Sequence, residues 1–473
     1  MKKIKKAIFI LKSFIVLSIS FSADSFASDF TQSLQSFTQS FDIKSSQGVF
    51  GDMDMRARAE QNATFCAIEK WNTLRHGQYN EVSPSIFVEL EGENLRDYKA
   101  NTTPVILKLY RLLAQDIVKE NSLDAKYFLE YLADSQAFTK IKPHKFTRHV
   151  GQEFSEVLKN FSPVDEQIAK SGMILLAAAI TVEAHKSSLS EADLKKIAGW
   201  GNDIFEHQSS LDSNLLDLTY HGKVDVRSQV ALGYIAFGLA AKLQNMFEKG
   251  MVLFQHVVEG EIQKDGGLHY FLKNHEGAEL DYHNQTIGYL TTSAAILKAN
   301  GFDMYDRQNA DGGTLRNAIQ FVVNNAFENR SSELSDSQLR SMIQVTRNPF
   351  ITMAWLELAL NDYEDWLEEE NFKRAFEIRN VSASWVTENK AGFNGANFGG
   401  YTSCYFSSVP PTSALIDEVE MFIFYQNTSF EQRSCLFKNI NPDLLILFKA
   451  NQKLPTEKLE ERRKTEYVRC KDK

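Results

Sequence analysis

Segments in which apolar residues recur at helical spacing follow one another along this chain, from Met53 to about Leu367. The longest of them, such as residues 164–186 and 226–245, have the length and apolar content of buried helices. Almost no stretch alternates as a strand does, and only 9 prolines interrupt the 473 residues. Helices joined by Gly-containing breaks, without a strict repeat, predict an all-α protein in which helical hairpins close into a ring.

The N-terminus has the three regions of a secretory signal peptide. A short apolar run at 14–21 follows a basic region, and Ser25 and Ala27 place small residues where a signal peptidase reads them. These features predict cleavage after Ala27 and a periplasmic or secreted protein. A retained membrane anchor is the less favoured alternative, because the apolar run is too short to span a bilayer. No later stretch is expected to span one.

Changes in composition divide the chain into three parts: a signal peptide at 1–27, a helical domain at 28–370 and a C-terminal extension at 371–473. The first residues after the signal, 28–51, are predicted to be a poorly ordered lead-in to a first helix at 53–74. The extension is rich in Gly, Ser and Asn with interleaved aromatic residues. It is expected to contain some strand or long loop, and its role stays open.

The charge balance narrows the choice of partners. The formal net charge is −9, and it becomes −13 without the signal peptide, because five lysines and one aspartate are lost. An acidic chain argues against nucleic acid as a partner, and any polyanion would need a local basic groove. No P-loop, dinucleotide fingerprint, HExxH or GxSxG motif is present, and no cofactor is predicted.

Four cysteines, Cys66, Cys404, Cys435 and Cys470, are spaced too widely for a zinc site. Export makes disulfides plausible, and four cysteines allow three pairings. Pairing of Cys404 with Cys435 is favoured.

Titratable chemistry concentrates between Asp265 and Asp303. Its centre, Leu280-Asp-Tyr-His-Asn284, stands at the head of an apolar helix predicted for 287–299. Tyrosine, histidine, asparagine and arginine suit β-elimination from a uronic acid. That reaction needs a group that neutralises the sugar carboxylate, a base that takes the neighbouring proton and an acid that protonates the leaving oxygen. Tyrosine can serve as both base and acid.

Four motifs lie in residues 265–316: Asp265-Gly-Gly-Leu268, Leu280-Asp-Tyr-His-Asn284, Ala299-Asn-Gly-Phe-Asp-Met-Tyr305 and Gly312-Gly-Thr-Leu-Arg316. They resemble motifs of the alginate lyases of polysaccharide lyase family five, and weaker likeness extends over roughly residues 87–367. The resemblance implies an incomplete (α/α) toroid that cleaves poly-mannuronate by β-elimination without an obligatory metal. It also implies that Tyr282 is the catalytic base and acid.

Other positions depart from the family pattern. Where the family has Asn-Asn-His to neutralise the carboxylate, this chain has Asp225-Val226-Arg227, and a family arginine is replaced by His275. A family lysine falls near Glu89. We therefore expect Tyr282, Arg227 and His275 to be catalytic. His283, Asn284, His221 and Tyr220 are expected to bind substrate.

These departures leave alternatives open. The protein is predicted to be a monomeric lyase acting on an acidic polysaccharide such as alginate. It could instead be a lyase for another uronate or for an acetylated polymer. A non-catalytic periplasmic binding or scaffold protein on the same fold is the other alternative. Trp200 and Tyr234 are expected to belong to the core rather than to a sugar platform.

Overall fold

A computed structural model describes residues 28–66, 95–139, 163–274, 279–327, 353–375 and 398–408, except for short gaps inside these ranges. The described residues include α-helices, a short 3₁₀ turn at Ile43–Ser45 and an isolated bridge between Ile262 and Leu268. In chain order the helices are α1 (Asp29–Ser40), α2 (Met55–Gln61), α3 (Leu95–Val118), α4 (Asp124–Asp134), α5 (Pro163–Ala184), α6 (Glu191–Ser209), α7 (Val224–Ala241), α8 (Gln244–Glu261), α9 (His269–Asn274), α10 (Glu279–Ala299), α11 (Leu315–Phe327), α12 (Leu356–Asp362) and α13 (Thr402–Tyr405).

The helices form two layers. Helices α3, α5, α7, α10 and α12 pack each against the next as an inner layer. Helices α4, α6, α8 and α11 each follow one of these helices in the chain and pack outside it. Because each outer helix returns the chain, successive inner helices run parallel. The all-α class and the toroid of helical hairpins are thereby confirmed.

The burial of the helices explains their division into an inner and an outer layer. Helix α7 is apolar around most of its circumference, and 14 of its 18 residues are buried, as an inner helix requires. Its axis approaches α5 closely, since a Cβ on Gly233 would lie 2.2 Å from the carbonyl oxygen of Gly172. Outer helix α6 begins with a capping box formed by Ser190 and Asp193. Trp200 and Tyr234 are fully buried, as predicted.

The predicted helix boundaries are wrong at three places. Residues 29–40 form α1 rather than a disordered lead-in, because Phe30 and Leu34 are buried on α8. Among the described residues of the predicted first helix, only 55–61 are helical. Helix α10 begins at Glu279, eight residues before the predicted start at 287, so the polar cluster lies inside the helix.

The disulfide prediction is also wrong. Cys404 is bonded to Cys66, not to Cys435, and the bridge joins residues 338 positions apart. Around it, Tyr405 and Phe406 are buried in the same core as the helical layers. Part of the C-terminal extension therefore packs into the toroid rather than standing apart from it.

The expectation that no later stretch could span a membrane needs a correction. Within α5, residues 167–184 are long and apolar enough to do so. However, 89% of this stretch is buried inside the fold, which is the environment of a core helix.

Candidate active site

The N-terminal ends of the inner helices lie side by side. Lys223, which caps α7, forms a salt bridge with Asp165 in the first turn of α5. Gly172 and Gly233, each ten residues into its helix, meet at the crossing of α5 and α7. Helix α10 packs next to α7 in the same layer. The first turns of α7 and α10 hold Arg227 and Tyr282, so the fold gathers these two predicted residues at one end.

Tyr282 is the fourth residue of α10 and is half-buried. Its ring stacks on Phe271 of α9, with 5.5 Å between ring centroids and 20° between planes. The stacking fixes the ring plane. The first turn of a helix carries the positive end of its dipole, which stabilises negative charge.

Asp281 places a carboxyl group beside this tyrosine. Burial raises the pKa of Asp281, although a hydrogen bond from Gln285 partly opposes the rise. A carboxyl group that is more easily protonated repels an acidic substrate less than an ordinary aspartate would. Asp281, which precedes Tyr282 in the sequence, is therefore easier to protonate than an ordinary aspartate.

His283 and Asn284 support the helix around Tyr282. His283 is fully buried: its Nε2 accepts from the Leu268 amide at 2.7 Å, and its Nδ1 lies 2.6 Å from the Glu279 carbonyl oxygen. Asn284 is also buried, and its Oδ1 accepts from Trp355 Nε1 at 3.0 Å. Asn284 therefore does not cap a helix. In this structure both residues position α10, and their contact with substrate stays a prediction.

Arg227 is directed toward the outer layer. It is 1% exposed, and its Nη1 lies 2.9 Å from Nδ1 of His256 on α8. The other ring nitrogen of His256 lies 2.7 Å from the Leu218 carbonyl oxygen, so His256 donates there and accepts from Arg227. Burial, and then the charge of Arg227, lower the pKa of Lys249 on the same outer helix. Arg227 and Lys249 thus bring two cationic side chains to this part of α7 and α8, where Asp225 in the first turn of α7 is acidic.

The remaining predicted residues, Tyr220, His221, His275 and Glu89, lie outside the described residues. In the part of the chain that is described, no group of three or more His, Cys, Asp or Glu side chains could hold a metal ion.

The chain resembles known proteins in part of its sequence and in its fold. Residues 160–332 match the alginate lyase family model. No curated protein sequence matches the chain. Alginate lyase A1-III from Sphingomonas species A1 has a similar structure, with a TM-score of 0.50 at 15% identity over 78% of this chain and 99% of that one. A variant of alginate lyase A1-III complexed with tetrasaccharide gives a TM-score of 0.48 at 14% identity over 78% and 98%.

The alginate lyase match confirms the family resemblance inferred from the sequence, and it spans Arg227 and Tyr282. The structure adds two supporting residues of this alginate lyase-like segment that the sequence analysis missed, Phe271 and His256. Phe271 stands in the same part of the sequence, but Tyr289 is nearer to Tyr282 along the chain, so the sequence does not single out Phe271. No sequence signal connects His256 to Arg227, because they meet only through the packing of α7 on α8.

Proposed function

We propose that this protein is a polysaccharide lyase that cleaves an acidic polysaccharide, such as alginate or poly-mannuronate, by β-elimination. The observation that carries the proposal is Tyr282, held half-buried by Phe271 at the first turn of an inner helix, within the segment that matches the alginate lyase family. A phenol in this position can exchange a proton with a bound sugar. In this proposal Arg227, at the neighbouring end of α7, supplies the positive charge that attracts a polyanion.

In the proposed reaction, Tyr282 as phenolate takes the proton from the carbon beside the sugar carboxylate. The electron pair of that bond forms a carbon–carbon double bond, and the bond to the glycosidic oxygen breaks. The phenol then gives its proton to the leaving oxygen, which restores the phenolate. The products are a new non-reducing end with an unsaturated uronate and a shortened chain, and no water is consumed.

Neutralisation of the carboxylate is assigned to Arg227, His275 and Asn284. The bond from Trp355 to Oδ1 fixes the amide of Asn284, and the bond to His256 holds the guanidinium of Arg227. Residues held by such partners keep their orientation when substrate binds, which lowers the entropic cost of catalysis. Cleavage after Ala27 would place this monomeric enzyme in the periplasm or outside the cell, where such polymers are met.

One observation favours a non-catalytic polysaccharide-binding protein as the second candidate. Arg227 is buried and directed to His256 on the outer layer, and the oxygen of Asn284 is engaged by Trp355. If neither group reaches the carboxylate, the proton beside it is not acidic enough to be removed. The same fold would then bind the polymer without cleaving it.

An ultraviolet absorbance assay for unsaturated uronate distinguishes the two functions. We expect poly-mannuronate or another member of a polyuronate panel to give a rise in absorbance. Tyr282→Phe should reduce the rate by about 10²-fold or more, because general acid–base catalysis contributes about 10²–10⁴-fold. Tyr127→Phe is the matched control, since Tyr127 is 57% exposed on outer helix α4.

Each outcome has a different meaning. Full activity of Tyr282→Phe would disprove the assigned mechanism, even if the protein is a lyase. Absence of absorbance with every polymer, together with measurable polymer binding by calorimetry, would support the binding protein instead.

A further inference from the structure

The carboxylate of Glu259, on the outer helix α8, binds the first residues after the predicted cleavage point. Glu259 Oε1 accepts hydrogen bonds from the hydroxyl groups of Ser28 and Thr31. Its other oxygen, Oε2, accepts from the Ala310 amide at 3.1 Å. Ser28 also caps α1, since its Oγ accepts from the Thr31 amide at 3.0 Å. Glu259 therefore binds the start of α1 and the loop before α11 at once.

The surrounding contacts hold Ser28 at this position. The amide of Phe30 donates to the Gln308 carbonyl at 3.1 Å, and the Phe30 side chain is completely buried against Phe254. The guanidinium of Arg307 donates to Ser33 at 2.9 Å. Residues 28–33 are thus held in place directly after the residues that a signal peptidase would read.

We propose that the chain is processed between Ala27 and Ser28 and that Glu259 is the receptor for the α-ammonium group so created. Hydrolysis of this peptide bond by a signal peptidase consumes one water, leaves a carboxylate on Ala27 and frees an amine on Ser28 that takes up a proton. The nitrogen and the hydroxyl oxygen belong to one small residue. The new charge therefore lies within about 6 Å of Glu259, the range in which opposite charges stabilise each other.

The negative charge of Glu259 would stabilise a positive amine at the start of α1. A positive amine at the N-cap of α1 faces the positive end of the helix dipole, which is unfavourable. Glu259 offsets this repulsion from α8. Asp29 on α1 and Arg307, which lie 3.8 Å from each other, are further charged groups at this end. A carboxylate that only accepted hydroxyl hydrogen bonds would not distinguish a processed terminus from an extended one.

The first test identifies the terminus. The full chain is expressed in a bacterium that exports it, and the intact mass and N-terminal sequence of the exported protein are measured. A mature chain beginning at Ser28 is expected. A chain that begins several residues later, or that retains Met1, would overturn the proposal, because neither places an amine beside Glu259.

The second test measures the charge interaction. Chains beginning at Ser28, and chains with Gly-Ala added before Ser28, are released from a fusion partner, each with Glu259 or Glu259→Gln. We expect the Ser28 form to have a melting temperature about 1–2 °C higher than the extended form at pH 6–7, as for a partly exposed ion pair. This difference should vanish with Glu259→Gln. It should remain with Glu248→Gln, an exposed glutamate on the same helix.

The pH dependence separates charge from hydrogen bonding. An amine that gains a carboxylate partner has a raised pKa, so its contribution is present below the unfolded value near 8 and is lost as pH rises through the folded value. The difference between Ser28 and extended forms should therefore disappear by about pH 10. An equal difference in the Glu259→Gln background, or one that persists at high pH, would show that Glu259 binds only the hydroxyl groups.

Discussion

Asp116 joins two helices and a histidine through one buried carboxylate near the C-terminal end of α3. Oδ1 accepts from Ser122 Oγ at 2.5 Å and from the Asp124 amide at 3.0 Å, and Oδ2 accepts from the Ala125 amide at 2.7 Å. His185 Nε2 lies 3.1 Å from Oδ2. Burial alone would raise the pKa of Asp116, but the bonds from His185, Ser122 and Ala125 outweigh it and lower the pKa.

A lowered carboxyl pKa makes a definite prediction for stability against pH. The ionised group stabilises the fold above its unfolded pKa near 3.9, and this stability is lost as pH falls through the lower folded pKa. We expect Asp116→Asn to reduce the free energy of unfolding by about 2–4 kcal/mol at pH 7. The difference from wild type should shrink below about pH 4.

Urea denaturation between pH 3 and pH 8 measures this effect. Asp134→Asn is the control, because Asp134 is 59% exposed and its salt bridge with Lys196 should contribute less than about 1 kcal/mol. A difference of constant size at all pH values would mean that the charge of Asp116 is not what stabilises the fold.

The sequence predicted where site residues stand in the chain better than which way their side chains point, as Tyr282 and Arg227 show. The motif around Tyr282 was placed ahead of an apolar helix predicted for 287–299, and the structure puts it in the first turn of a longer helix that begins at Glu279. The same motif could not show that His283 and Asn284 are buried, because hydrogen bonds with Leu268 and Trp355 depend on tertiary packing. The direction of Arg227 toward His256 depends on packing in the same way.

At the scale of the helix, α5 and α7 of the inner layer cross closely. A Cβ on Gly233 would lie 2.2 Å from the Gly172 oxygen and 2.6 Å from its carbonyl carbon. Backbone atoms cannot rotate away as a side chain does, so the two helices would have to separate. We expect Gly233→Ala to reduce the free energy of unfolding by about 2–4 kcal/mol, because overpacking of a close interface is costly.

Chemical denaturation compares this variant with Gly199→Ala. Gly199 lies in outer helix α6, and a Cβ there would meet no atom within 4 Å. That substitution should stabilise the protein by about 0.5–1 kcal/mol, since alanine favours a helix more than glycine does. Equal effects of the two alanines would contradict the close crossing.

Helix position was predictable wherever apolar spacing was regular, as in α5 and α7, whose observed ends lie within four residues of the prediction. Helix α10 was predicted too short because its first turns carry Asp281, His283 and Asn284, which look like a loop until their partners are known. Helix α1 was missed although Phe30, Leu34 and Phe37 have helical spacing. Its polar composition outweighed that signal, and only docking on α8 stabilises so short a helix.

At the scale of the whole molecule, residues 402–408 connect the segment that follows α2 with the end of α12. Cys404 is bonded to Cys66, and Asn62 Nδ2 donates to the Ser407 carbonyl at 2.8 Å. On the other side, Asn361 of α12 donates to the Phe406 carbonyl at 2.6 Å. No local sequence rule predicts a pairing across 338 positions, because it depends on how the ring of helices closes.

This disulfide should contribute much of the stability of the toroid. A crosslink over so long a loop restricts the unfolded chain strongly, which the chain-entropy model estimates at about 5 kcal/mol. The hydrogen bonds of Asn62 and Asn361 hold the same segment without the bridge, so the fold should survive its loss with a lower melting temperature. We expect Cys66→Ser, Cys404→Ser and the reduced wild type to unfold at similar denaturant concentrations, all below the oxidised protein.

Peptide mapping without reduction should recover the Cys66 and Cys404 peptides as one linked species. Recovery of Cys404 linked to Cys435 would contradict the closure described here. Unchanged unfolding of Cys66→Ser would show that the packing of residues 402–408 alone closes the ring.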